Sequence, residues 1–434
     1  MTPVGLRAGS AGGGARLGMK PHRQSRAAPL PWAGRAAIGR LGGNVMPRRA
    51  WLILTALLLA RVGFGYEYQS VPSLGPALIA RLHLSYAGFG SLIGAYMVTG
   101  AFVALPLGFA GRRFGDRAVL GGGMALMALG QLVCALAPDA RGIALGRALS
   151  GFGAVAMMVL QSKVIADWFT GRRFMLAISL SSAAYPVGVG LAQLVLPVLA
   201  RHGGWPMAFG SAAAEALIAL ALFLLSFRPH ADAAAPAVGF GLPSAREAGL
   251  SACSGLIWTA YTACYAAFLS YTPALMAGRG EGLALVGLVV AVATWGNVLA
   301  TPLGGALAGR IGATTLLAVG TAAMILGVAL MGAADLPLLS GVLVGLPGSL
   351  HAGLIIALGT LSARTENRAV GMGIFFTIYY GGGALAPALC GMAADAYGGL
   401  PGAMFAGAAI GALAIPAFLA HRALGGRRVL AAEG

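Results

Sequence analysis

The chain has 434 residues, of which 58% are hydrophobic and only 9% charged, and its mean hydropathy is +0.83. A water-soluble domain carries about 25% charged residues, so a soluble enzyme is excluded and lipid is the expected solvent. The net charge of +17 therefore has to be explained by where the basic residues fall before nucleic acid is considered.

In chain order, residues 1–45 are Gly/Ala/Pro/Arg-rich, contain no acidic residue and show no helical period. This composition resembles a transit peptide. A compact start at Met46-Pro-Arg-Arg-Ala-Trp51 makes Met46 the expected initiator, with 1–45 a basic tail or an extension ahead of it. Apolar segments long enough to span a bilayer (about 20 residues) then begin near residues 51, 84, 118, 142, 174, 205, 249, 283, 314, 337, 369 and 400. Backbone polar groups in hydrocarbon must bond within their own segment, so these spans are expected to be helices. The short alternating segments of a transmembrane barrel are absent. The fold class is an all-α integral membrane protein with twelve transmembrane helices. Residues 46–227 form one six-helix bundle and 249–421 the other. The Ala/Pro-rich stretch 228–248 links them, and 422–434 is a tail.

The two halves resemble each other. At an offset of 197 residues Pro76-Ala77-Leu78 meets Pro273-Ala274-Leu275, and Gly108, Arg113, Gly115 and Gly151 meet Gly305, Arg310, Gly312 and Gly348. Duplicated membrane halves place a substrate site where they meet and expose it alternately to each side. With both termini inside, most basic residues fall in the tails and inner loops. Only Arg81, Arg141, Arg201 and Arg279 fall on the other side, and Arg61, Arg147 and Lys163 within spans. That positive-inside bias accounts for the basicity, with anionic lipid rather than nucleic acid as the partner. Cys134, Cys253, Cys264 and Cys390 sit within spans without a CxxC pattern, so neither a metal nor a disulfide framework is suggested. The only lysines, Lys20 and Lys163, are not in a phosphate-binding loop, so no cofactor or ATP motor is expected.

The loop after the second span reads Gly108-Phe-Ala-Gly-Arg112-Arg113-Phe-Gly115-Asp116-Arg117, with a second copy at Gly305-Ala-Leu-Ala-Gly309-Arg310-Ile-Gly312. It resembles the signature loop of the major facilitator superfamily, and Arg147-Ala-Leu-Ser-Gly151 is similar to that family's fourth-span element. The run Ala166-Asp167-Trp168-Phe169, followed by Gly171-Arg172-Arg173, looks like the cyanate and nitrate permease-like branch. The resemblance implies the major facilitator fold and a gating role for Gly108, Arg112, Arg113, Gly115, Asp116, Arg117, Gly305, Arg310 and Gly312. Arg112 stands where the family usually has aspartate; Asp116, one turn on, is the expected substitute. The resemblance also links the Arg147 position to proton movement.

Ionisable residues deep in lipid are costly and default to functional hypotheses. Arg61, Gly65, Tyr68 and Pro72 share one face of the first span, with Glu67 about 120° away. Arg61 has two open readings, an anion-binding cation or the partner of Glu215. Glu67 and Arg147 lie at similar depth and are expected to pair, with protonation of Glu67 breaking the pair; Glu67, Arg147 and Glu215 form the proton-coupling set. Trp258, Tyr261 and Tyr265 on the seventh span, His351 on the tenth and Tyr379 on the eleventh complete the candidate substrate site. The expected function is secondary transport of a small organic or inorganic anion with protons, by a monomer in a bacterial cytoplasmic membrane. The alternatives are a proton-coupled exporter of hydrophobic compounds and a transporter-like sensor without flux.

Overall fold

A computed structural model describes residues 48–169, 171–228, 243–364 and 367–426. The readings of 1–45, of most of the 228–248 linker and of the tail beyond 426 lie outside the described residues. So does the side chain of Arg112. The first half comprises α1 (Arg48–Ser73), α2 (Gly75–Leu82), α3 (Tyr86–Phe114), α4 (Asp116–Leu136), α5 (Ala140–Trp168) and α6 (Gly171–Ser226). The second comprises α7 (Ala245–Gly278), α8 (Leu283–Ile311), α9 (Ala313–Ala333), α10 (Pro337–Gly345), α11 (Ala352–Leu361), α12 (Arg368–Tyr397), α13 (Pro401–Ala412) and α14 (Ala414–His421). Among the described residues no strand occurs.

Among the described residues, eleven helical stretches are long and apolar enough to cross a membrane. The longest, within α6, holds two of the twelve expected passes. Its helical path breaks at Gly203 and at Gly204, whose φ of +66° only glycine adopts freely, and Pro206 follows. The Arg81 guanidinium lies 5.7 Å from the centroid of the Trp205 ring, beside that turn. The tenth pass is also interrupted, with a short 3₁₀ turn at Pro347–Ser349 between α10 and α11. The second bundle begins at residue 245 rather than 249, because Ser244 and Glu247 form a reciprocal capping box that starts α7.

Alternation brings the Arg-rich termini of all passes to one end, the basic end. There Arg117 donates to the Leu224 carbonyl at 3.0 Å, Lys163 bridges Asp116 and Asp167, and Glu247 pairs with Arg364. Gly115 (φ +81°, ψ 150°) and Gly312 (φ +85°, ψ 138°) precede α4 and α9 with nearly the same backbone. The repeat is therefore conformational as well as sequential, and the positive φ explains why glycine stands at both positions.

The halves meet most closely where α3 lies on α12. The backbones of Gly90 and Gly94 face the carbonyls of Pro387 and Ala384, and Gly391 faces that of Tyr86. Small residues at this spacing permit backbone contact in lipid. At the far end of the seam Asp395 accepts hydrogen bonds from the backbone N–H of Tyr86 (2.8 Å) and Ala87 (2.9 Å), capping α3 from the other half. Gln69 adds a bond to the Leu269 carbonyl at 3.2 Å. These contacts all lie between the far end and the level of Gly100 and Tyr380. The polar pairs named at the basic end each stay within one half.

Candidate substrate-binding site

Midway along α1, Arg61 is half-buried and has no hydrogen-bond or ion-pair partner among the described residues. Its Nη1 is closed off and donates to nothing. Its guanidinium carbon lies 5.2 Å from the centroid of the Phe64 ring and 5.6 Å from that of Tyr185. The phenols of Tyr96, Tyr185, Tyr379 and Tyr380 stand within electrostatic range of it. Tyr185 comes from α6 and Tyr379 and Tyr380 from α12, so the cation sits between the two halves. The same neighbourhood includes Tyr68 and Tyr265, both in range of Tyr185. The aromatic wall continues from Tyr379 to Trp258 at 6.3 Å between centroids and from Trp258 to Tyr261 at 5.3 Å. The sequence-derived set Arg61, Tyr68, Trp258, Tyr265 and Tyr379 is thus brought into one place.

The Arg61–Glu215 pairing does not form. The Glu215 carboxylate lies against Gly63, and neither of its oxygens has a partner. Residues 61 and 63 point to nearly opposite sides of a helix, so the α1 backbone separates the two charges. Glu67 and Arg147 do not pair through the carboxylate either. Arg147 is fully buried and spends its donors on backbone carbonyls: Nη1 to Glu67, Nη2 to Tyr68 (3.2 Å) and Ile93 (3.3 Å), and Nε to Leu92 (3.3 Å). A further bond reaches Ser70 Oγ, and the Tyr96 ring lies 4.6 Å away. Arg147 consequently ties α5 to α1 and α3. The Glu67 side chain, also fully buried, takes a long bond from Tyr96 (3.4 Å) at Oε2, and Oε1 has no partner.

His351 stands apart from Arg61. It is 1% exposed, touches Thr321 at 3.5 Å and sits edge-on to Tyr261 at 5.1 Å. The small void it borders is lined by α7, α9, α13 and α14 within the second bundle. This corrects its assignment to the substrate surface, because the interruption of the tenth pass turns residue 351 inward. Tyr261 is also buried, and its hydroxyl belongs to a network: Asn297 Nδ2 donates to Tyr261 Oη (2.7 Å) and to Ser349 Oγ (3.0 Å). Of the residues expected to gate, Asp116 and Arg117 are engaged as described, Arg113 lies 5.7 Å from the Phe114 ring centroid, and Arg310 is exposed.

Sequence reasoning missed Tyr185, Tyr96 and Asn297 as site residues. Asn297 left a signal, as the one amide in the apolar run of α8. Tyr185 left only its place beside Pro186. Among the described residues, no group of His, Cys, Asp and Glu is placed to hold a metal ion.

Residues 53–387 match the model of the Major Facilitator Superfamily. The inner membrane transport protein YajR of Escherichia coli is 28% identical over 175 residues, covering 40% of this chain and 37% of the relative. A gallate transporter of Pseudomonas putida is 30% identical over 155 residues, covering 36% and 34%. The chain thus matches little more than a third of the length of these curated relatives. Among solved structures, a bacterial homolog of the human lysosomal transporter Spinster, inward-facing and unoccupied, superposes with a TM-score of 0.69. Its identity is 18%, over 88% of this chain and 98% of the other. The nucleoside transporter NupG gives 0.69 at 14% identity, over 86% and 100%. At such identities the likeness is one of fold.

Proposed function

The chain belongs to the Major Facilitator Superfamily, a class of transporters rather than enzymes, and on that premise we propose that it carries a small anion across the cytoplasmic membrane of a bacterium by alternating access, together with protons and as a monomer. The observation that carries this reading is Arg61. Removing a guanidinium from water without a hydrogen-bond partner is costly, and an intramembrane charge normally finds one. A carboxylate or similar anion in the space beside Phe64, Tyr185 and Tyr379 supplies the missing partner, and the planar fork of arginine suits it. The relative from Pseudomonas putida, named for gallate, an organic anion, supports the same class.

In this reading the basic end faces the cytoplasm, following the positive-inside bias. The α3–α12 seam closes the outer end, so the site would open inward. Glu67 is the proton carrier, because it is the fully buried carboxyl on α1, the helix that also presents Arg61. Its protonation is felt by Arg147 through the shared α1 backbone, since Arg147 holds the carbonyl of Glu67 itself. Proteoliposome uptake of a labelled organic anion tests this. An inward-acidifying gradient should drive uptake in the wild type. Glu67→Gln should lose the pH-driven component and retain counterflow, and Arg61→Gln should lose both. Proton-driven uptake that survives Glu67→Gln removes Glu67 from the scheme; binding that survives Arg61→Gln removes the anion site.

A further inference from the structure

On the second-half side, beside Tyr261, stands a hydrogen-bond acceptor whose orientation follows from its neighbours' hydrogen bonds. Ser349 Oγ donates to the Val344 carbonyl at 2.9 Å, and the Tyr261 hydroxyl donates to Ser349 Oγ at 3.4 Å. Both protons are thereby committed. Whatever Asn297 presents to these two oxygens must itself donate, so its Nδ2 faces them and its Oδ1 is turned away. Oδ1 accepts nothing among the described residues, and Asn297 is half-buried. Ser349 can accept here because it stands in the 3₁₀ turn that interrupts the tenth pass. Broken helices near the bilayer middle are where transporters build substrate contacts.

Between this acceptor and Arg61 the wall is aromatic. A continuous set of rings runs from Tyr379 to Trp258 to Tyr261, and Tyr265 lies parallel to Tyr261 with centroids 6.4 Å apart. Among the described residues, no basic side chain from the second half joins Arg61. A compact, strongly hydrated inorganic anion would exchange its water shell for one guanidinium and several ring faces. A planar aromatic ligand gains from those same faces by stacking and apolar burial.

We propose that the transported anion is a planar aromatic one bearing a hydrogen-bond donor. Its charged group meets Arg61, its ring lies among Tyr185, Tyr379 and Trp258, and its hydroxyl or N–H meets Asn297 Oδ1. Asn297 is then a specificity-determining residue, and Tyr261 and Ser349 position it. This rests on the anion-carrier reading above and narrows it to a chemical class.

Calorimetric titration of the purified full chain with a fixed series tests the proposal without requiring a variant to fold. The series is benzoate, its three monohydroxy isomers, their methyl ethers, cyclohexanecarboxylate, acetate and nitrate. One hydroxybenzoate isomer should bind tightest, with its methyl ether weaker by about tenfold and cyclohexanecarboxylate weaker than benzoate. Asn297→Ala, checked for unchanged oligomeric state and helicity, should bring each hydroxy ligand and its methoxy counterpart to equal affinity. Equal binding of each hydroxy and methoxy pair overturns the donor contact. Equal binding of benzoate and cyclohexanecarboxylate overturns the aromatic requirement. Tightest binding by acetate or nitrate overturns the inference and leaves an anion carrier standing; binding of no anion by the wild type removes both.

Discussion

Gly94→Ala is expected to tilt the chain toward the state open at the far end. A Cβ on Gly94 would fall deep inside the contact distance of the Ala384 carbonyl oxygen, a backbone atom that cannot swing aside. A carbon needs about 3.3 Å from a carbonyl oxygen, so α3 and α12 must part by about 1 Å. Overpacking of this kind costs roughly 1–3 kcal/mol. If the seam opens during turnover, that cost falls on the closed-seam state alone. It then multiplies the open-to-closed ratio by about 5- to 150-fold. The repeat supplies matched reporters: Arg141 and Leu338 are exposed positions at the far end, one per half, and Phe114 and Ile311 are their counterparts at the basic end. Spin labels on each pair, in a background lacking the four cysteines and reconstituted in nanodiscs, report both ends by pulsed dipolar spectroscopy. The far-end distance should lengthen and the basic-end distance should shorten. Unchanged distributions with only a lower unfolding temperature would show that the seam is static packing, and the gating argument would fail.

Two further substitutions separate structural from functional charge. Arg147→Lys loses most of the fork that joins the carbonyls of Glu67, Tyr68, Leu92 and Ile93, and the Tyr68 carbonyl, whose helical donor is missing at Pro72, is left an orphan at about 1–3 kcal/mol. Its unfolding temperature should drop sharply in a detergent melt, and a melt like the wild type's would refute the tie between α1, α3 and α5. Lys163→Met removes the bridge between Asp116 and Asp167, but the Lys163 side chain is 40% exposed and such pairs contribute about 0–1 kcal/mol. Its melt should stay close to that of the wild type, and a large drop would mean that this cluster is buried more deeply than its exposure indicates.

The passes were legible in the sequence because hydropathy is a local property: a segment either can or cannot leave water. The repeat was legible for a related reason. Gly115 and Gly312 recur at one offset because the same turn in each half needs the same positive φ. The capping box at Ser244 and Glu247 was also available, as Ser-x-x-Glu ahead of an apolar run, although the bundle boundary was placed four residues later. Partners were not legible. Whether Arg61 reaches Glu215 depends on which side of α1 the sixth pass occupies, and only Gly63, two residues on, records that contact. The inward turn of His351 follows from an interruption at Pro347-Gly348 that a hydropathy profile passes over. Glu67 and Arg147 were correctly placed at one depth. Depth alone left undetermined whether the arginine would meet the carboxylate or the carbonyl of the same residue.

Arg61 and Arg147 carry the same group in the same half, Arg61 half-buried and Arg147 fully buried, and what meets their donors differs. Every donor nitrogen of Arg147 meets an oxygen fixed by helices of its own bundle, so the charge is already satisfied and a ligand would have to compete with backbone carbonyls. Arg61 meets only ring faces, which attract a cation but accept none of its N–H groups in the plane of the fork. Part of its interaction is thus supplied by the protein and part is left over, directed between the halves. On the proposed reading, an anion binding there would gain affinity from the remainder and would touch Tyr185 of one half and Tyr379 of the other. Binding energy that depends on both walls changes when the walls move, and a carrier requires that dependence: a ligand with equal affinity for both states would shift nothing. Under that proposal the unpartnered arginine bears on the transport cycle as well as on the charge of the cargo.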